Sequence, residues 1–168
     1  MTFFKDLDAA VTKNNSLVCV GLDPDEAQFP AHLKKSSQPI VDFNKAIIEA
    51  THDLVCAYKP NVAFYEKAGA AGLDALRKTL EFIPKNIPVI LDAKRGDIGN
   101  TAAAYAAAAF KDWGAGAVTV NPYLGYDSLL PFLEYGDRGI FILCLTSNPG
   151  ARDFQMVPEK DPLFHRVA

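Results

Sequence analysis

The sequence has no apolar run near the ~20 residues of a membrane span and no surplus of basic residues. Its 17 Lys and Arg face 20 Asp and Glu, for a net charge of −3. No nucleic-acid footprint is advertised by that balance, so any phosphate ligand must be gripped locally. The segment Met1-Thr2-Phe3-Phe4-Lys5-Asp6 carries early acids where a signal peptide needs apolar residues. A cytoplasmic protein that meets neither membrane nor nucleic acid is the expectation. Cysteine is scarce: Cys19, Cys56 and Cys144 are odd in number and widely spaced, each within a strand-like run. Three buried free thiols in a reducing compartment are expected. His32, His52 and His165 are scattered, and no cluster has metal-ligand spacing. There is no G-x-G-x-x-G turn, no P-loop, no strong internal repeat and no low-complexity tail.

What is present is the composition of a folded domain. The chain has 168 residues, 49% of them hydrophobic and 22% charged. That is one domain's length with enough apolar material for a core, so residues 1–168 are expected to form a single domain. Apolar runs predict strands at Leu17–Leu22, Leu54–Lys59, Pro88–Ala93, Ala117–Asn121 and Gly139–Leu145. Helical periodicity predicts helices at Phe3–Lys13, Pro39–Thr51, Ala68–Phe82, Asn100–Trp113 and Tyr126–Glu134, with a further one beginning at Leu163. The small side chains of Ala102–Ala104 and Ala106–Ala109 suit close packing on a sheet, and also a subunit interface. Strands apolar on both faces, alternating with helices, predict α/β architecture with a parallel sheet.

Two parallel architectures compete. A doubly wound sheet places a Gly-rich turn after its first strand, where this chain has Gly21-Leu22-Asp23-Pro24. A TIM (β/α)8 barrel instead distributes single polar residues over many strand ends. Asp23, Lys59, Asp92, Lys94, Asn121 and Ser147 follow that second pattern. A complete barrel takes roughly 200 residues or more, and five strands are legible here. The expectation is an N-terminal portion of a barrel, with about five βα units and no closure; otherwise the fold is not a barrel.

The densest chemistry lies in Leu91-Asp92-Ala93-Lys94-Arg95-Gly96-Asp97-Ile98-Gly99-Asn100-Thr101. Alternation in a strand sends Asp92 and Lys94 to one face, and Leu91 and Ala93 to the face that helices cover. Lys59 adds a cation at an earlier strand end, so Lys59, Asp92, Lys94 and Asp97 form a plausible alternating array. Plainer readings stand beside it. Asp92 and Lys94 could be a structural ion pair, Asp97 or Asn100 could cap the alanine-rich helix, and Lys59 could be a solvated charge.

The stretch Asp92-Ala93-Lys94-Arg95-Gly96-Asp97-Ile98-Gly99-Asn100-Thr101 resembles the signature of orotidine 5′-phosphate decarboxylase, in its bacterial branch with an Asp-Ala-Lys-Arg-Gly-Asp-Ile core. Gly21-Leu22-Asp23-Pro24, Tyr58-Lys59-Pro60-Asn61, Val120-Asn121-Pro122-Tyr123-Leu124-Gly125 and Thr146-Ser147-Asn148-Pro149-Gly150 agree with it in order along nearly the whole chain. The resemblance implies a TIM-barrel homodimer that converts orotidine 5′-monophosphate to UMP in pyrimidine biosynthesis, with no cofactor and no metal. It implies Lys94 as the proton donor to C6, with Lys59 and Asp92 flanking it and Asp97 supplied by the partner subunit. It also implies Ile98 and Thr101 of that subunit around the substrate, Asp23 and Lys59 on the ribose, Ser147 on the pyrimidine amide edge and Asn121 in the pocket lining.

The family's main phosphate grip lies after its seventh strand and at an arginine of its eighth. Arg95, Arg138, Arg152 and Arg166 do not match that arginine. An inactive truncated chain is therefore one alternative expectation. A Mg2+-dependent sugar-phosphate decarboxylase or aldolase sharing Asp-x-Lys-x-x-Asp is another, disfavoured by a cation at Lys59 where an acidic ligand would be needed.

Overall fold

The computed structural model describes residues 2–168. Five short strands are laid down in chain order: β1 Cys19–Leu22, β2 Ala57–Pro60, β3 Ile90–Arg95, β4 Ala117–Val120 and β5 Gly139–Ile142. β1 runs parallel to β2 with Leu22 opposite Pro60, and β3–β4–β5 form a second parallel set. Parallel bridges from Tyr58 to Val89 and from Asn61 to Asp92 join the two sets. The spatial order therefore equals the sequence order, with no reversal. That is the wall of a barrel and not a doubly wound sheet. Among the described residues the wall is an open arc, with β1 and β5 at its edges.

Helices connect the strands: α1 Phe3–Asn14, α2 Pro39–Thr51, α3 Val62–Glu66, α4 Gly69–Phe82, α5 Gly99–Ala107, α6 Tyr126–Leu133, α7 Ala151–Phe154 and α8 Leu163–Val167. The period-2 alternation of the strands sorts their side chains. Leu91, Val118 and Val120 pack outward with Ala102 and Ala106 of α5 and with Leu129 and Phe132 of α6. The alanines let α5 lie close to the sheet, and both are fully buried. Ala57, Ile90 and Ala117 cluster on the other face with Phe3 and Ala10 of α1. The Phe3 ring fits only because β5 opens with glycine: a Cβ on Gly139 would lie 2.5 Å from it. This apolar plug seals one end of the arc and leaves charged residues the other end.

Several expectations need correcting. Only Cys56 is buried; Cys19 is exposed and Cys144 is half-buried, though all three thiols are free. Cys19 lies opposite Ala57 on the edge strand, where the arc leaves the inner face uncovered. The alanine-rich helix is not regular to Trp113, because it widens into a π-helical turn over Ala108–Asp112. Neither Asp97 nor Asn100 caps α5; the cap position belongs to Ile98, which has no side-chain acceptor. α3, α7 and two 3-10 turns at Glu26–Gln28 and Leu33–Lys35 are too short to show a period in the sequence.

Candidate active site

Above the apolar plug, the inner face of the arc turns polar. Lys59 of β2, Asp92 of β3 and Thr119 of β4 follow Ala57, Ile90 and Ala117 by two residues each, which keeps them on the same face. Asp92 is only 6% exposed, and its carboxylate is fully engaged. Lys59 Nζ donates to Oδ2 at 3.0 Å, Lys94 Nζ donates to Oδ1 at 2.5 Å, and Thr119 Oγ1 donates to Oδ1 at 2.9 Å. Burial alone would push this carboxyl up. The hydrogen bonds from Lys94, Lys59 and Thr119, with the Lys59 charge, overcome it and hold Asp92 below the usual carboxylate range. The result is one buried anion gripped by two half-exposed cations.

The backbone of β3 is not a plain strand here. Leu91 pairs with Val118 and Arg95 with Val120, so three residues of β3 bulge out opposite Thr119. Lys94 sits in the bulge with φ at 46°, a left-handed conformation that side chains disfavour. The amides of Ala93 and Lys94 both donate to Thr119 Oγ1, at 3.0 and 2.9 Å. Arg95 then turns outward, pairing with Glu66 of α3 and lying over the Tyr105 ring at 5.0 Å.

A second network fixes the end of β1. Tyr65 donates to the Leu22 carbonyl at 3.1 Å and accepts from Asn44, which also reaches Thr79. These buried groups tie α2, α3 and α4 to the residue before Asp23. Asp23 itself is exposed at the strand end. Asn121 follows β4, exposed, its Oδ1 accepting from the Tyr123 amide at 3.0 Å. It borders a cavity of about 510 Å³ with Cys144, Phe154 and Leu163. Ser147 is exposed in the loop after β5. Ile98 and Thr101 are exposed at the start of α5. Asp97 does not reach the array, and its Oδ1 accepts from the Ile98 amide at 2.8 Å. A further cavity of about 380 Å³, bordered by Phe3, Arg77, Trp113 and Arg138, lies at the plugged end, away from this chemistry.

Of the four expected array members, the chain brings together Lys59, Asp92 and Lys94, and leaves Asp97 apart. Thr119 is the functional candidate that sequence reasoning missed. Its signal was available: it shares the parity of Ala117 and is the polar residue of an otherwise apolar Ala117–Val120 run. Threonine's ordinary preference for strands concealed it.

Residues 16–167 match the family described as orotidine 5′-phosphate decarboxylase / HUMPS. An orotidine 5′-phosphate decarboxylase of Herpetosiphon aurantiacus is 58% identical over 168 residues, covering 99% of this chain and 63% of that protein. One from Thermomicrobium roseum is 56% identical, covering 94% of this chain and 56% of that protein. This chain thus spans about three fifths of the length of these curated relatives. Among solved structures, Leishmania donovani OMP decarboxylase superposes with a TM-score of 0.87 at 45% identity, covering 99% of this chain and 63% of that one. The UMP synthase of the same organism gives 0.88 at 45% identity, covering 99% of this chain and 36% of its own. Among the described residues no helix is long and apolar enough to cross a membrane.

Proposed function

As the chain belongs to the orotidine 5′-phosphate decarboxylase / HUMPS family, we propose that the protein decarboxylates orotidine 5′-monophosphate to UMP. The observation that carries this reading is the Lys59–Asp92–Lys94 cluster on the inner face of the strand ends. In the reaction the bond between C6 and the carboxylate breaks, CO2 leaves, and the electron pair stays on C6. The Lys94 ammonium stabilises that charge and gives C6 its proton. The amine left behind is half-exposed and regains a proton from water. Asp92 aims the Lys94 ammonium, and Lys59 balances the charge of Asp92. Both Asp92 oxygens are occupied by ammonium groups, which supports metal-free chemistry over a Mg2+ site.

Around this centre Asp23 and Lys59 contact the ribose, Ser147 meets the pyrimidine amide edge, and Asn121 lines the pocket. The partner subunit of a homodimer supplies Asp97, Ile98 and Thr101. That Asp97 turns away from its own array, and that Ile98 is 57% exposed, support this sharing. Arg95 is paired with Glu66, Arg166 with Asp161, and Arg138 lies at the plugged end, so none of these three is placed to hold the phosphate. The three free thiols suit a cytoplasmic protein.

Lys94→Ala in the complete polypeptide tests the reading. Turnover is expected to fall by at least about 10²–10⁴-fold with the fold retained, although loss of the bond to Asp92 lowers the melting temperature. Near-wild-type decarboxylation would remove Lys94 from the role of proton donor.

A further inference from the structure

We propose that Thr119 is a positioning residue for the decarboxylation, because its single hydroxyl both holds the β3 bulge and aims the Asp92–Lys94 pair. The inference rests on the reading of Lys94 as proton donor. A threonine hydroxyl has one proton to give and two lone pairs to offer. At Thr119 all three are used. The lone pairs accept the amides of Ala93 and Lys94, and the proton goes to Asp92 Oδ1. With both lone pairs committed, the direction of the donated bond is fixed.

The geometry explains why a side chain is needed there. Three residues of β3 bulge opposite one residue of β4, so the regular ladder cannot serve their amides. Two partly buried N–H groups would then lack protein acceptors, and each such loss costs in proportion to its shielding from water. Thr119 Oγ1 takes both, and so stabilises the left-handed backbone at Lys94. The same atom shares Oδ1 with the Lys94 ammonium. Backbone and side chain of Lys94 are thus located by one buried group that is only 9% exposed.

Thr119→Val keeps the shape and deletes the hydroxyl, whereas Thr119→Ser keeps the hydroxyl. In the complete polypeptide, Thr119→Val is expected to lower kcat about 10–100-fold through misplacement of the proton donor, with KM changed less than about threefold. Thr119→Ser is expected to stay within about threefold of wild type. Hydrogen exchange at the Ala93 and Lys94 amides should quicken in Thr119→Val and not in Thr119→Ser. Unchanged kcat in Thr119→Val, equal losses in both variants, or unchanged exchange at those amides would each overturn the proposal. Should Thr119→Val not fold, Thr119→Cys replaces it as the weak-acceptor variant. A wild-type protein without decarboxylase activity would refute the functional reading instead. Amide exchange would then decide separately whether Thr119 holds the bulge.

Discussion

Asp92 shows how much one buried carboxylate is asked to do. It accepts from two ammonium groups and a hydroxyl while almost fully shielded from water. Neutralising it leaves Lys59 and Lys94 facing each other without a counter-charge. Their side chains are 34% and 49% exposed, so water relieves part of that cost. Asp92→Asn is therefore expected to destabilise by about 1–3 kcal/mol near neutral pH, less than for a fully buried pair. The pH dependence has a definite sign. Asp92 is held below its unfolded value, which is ~3.9. Its stabilising contribution is therefore complete above that unfolded value and is lost as pH falls through the folded one. The stability gap between wild type and Asp92→Asn should narrow in urea melts taken from about pH 5 down to pH 2. A gap that stays constant across that range would show that the charge of Asp92 contributes nothing to folding.

At the scale of elements, the contact between α1 and β5 is the most exacting. The Phe3 ring occupies the space where a Gly139 side chain would be, and the Ala117 Cβ lies 2.8 Å from the same point. Gly139→Ala should overpack the plug and cost about 1–3 kcal/mol. Phe3→Leu combined with it should recover part of the loss in thermal melts, whereas purely additive losses would place the strain elsewhere. The sequence showed such elements unevenly. α2 was legible to the residue, because Pro39 opens it and Ile40, Phe43, Ile47 and Ile48 repeat at helical spacing. Alternation predicts Asp92 and Lys94 on one face, and the two do meet there. The bulge over Asp92, Ala93 and Lys94 through which they meet was not legible, since no glycine marks the left-handed backbone at Lys94. Thr119 was concealed as an ordinary strand threonine, and its contacts to the β3 amides exist only because the register shifts opposite it. The exposure of Cys19 depends on which strands are edges, which a local apolar run does not encode.

For the whole molecule, the strand-end polar residues correctly favoured a barrel wall over a doubly wound sheet, because each βα unit repeats one local pattern. The proposed sharing of residues between subunits would be a property of two chains, and no spacing within one chain could reveal it. The position of Asp97 makes it testable. Its carboxylate is bonded to the next amide of its own chain and not to Lys94. In a two-fold dimer with shared sites, Lys94→Ala and Asp97→Ala each disable both sites of their own homodimer. Mixing equal amounts with subunit exchange makes half the dimers heterodimers. Each of these has one doubly defective site and one site with wild-type Lys94 and Asp97. Activity should therefore return to about a quarter of the wild-type level, and a titration of the mixing ratio should peak at equal amounts. Exchange can be followed independently with differently tagged subunits. If exchange is complete and no activity returns, Asp97 does not serve the Lys94 of the other subunit. The array would then consist of the three residues that one chain already brings together.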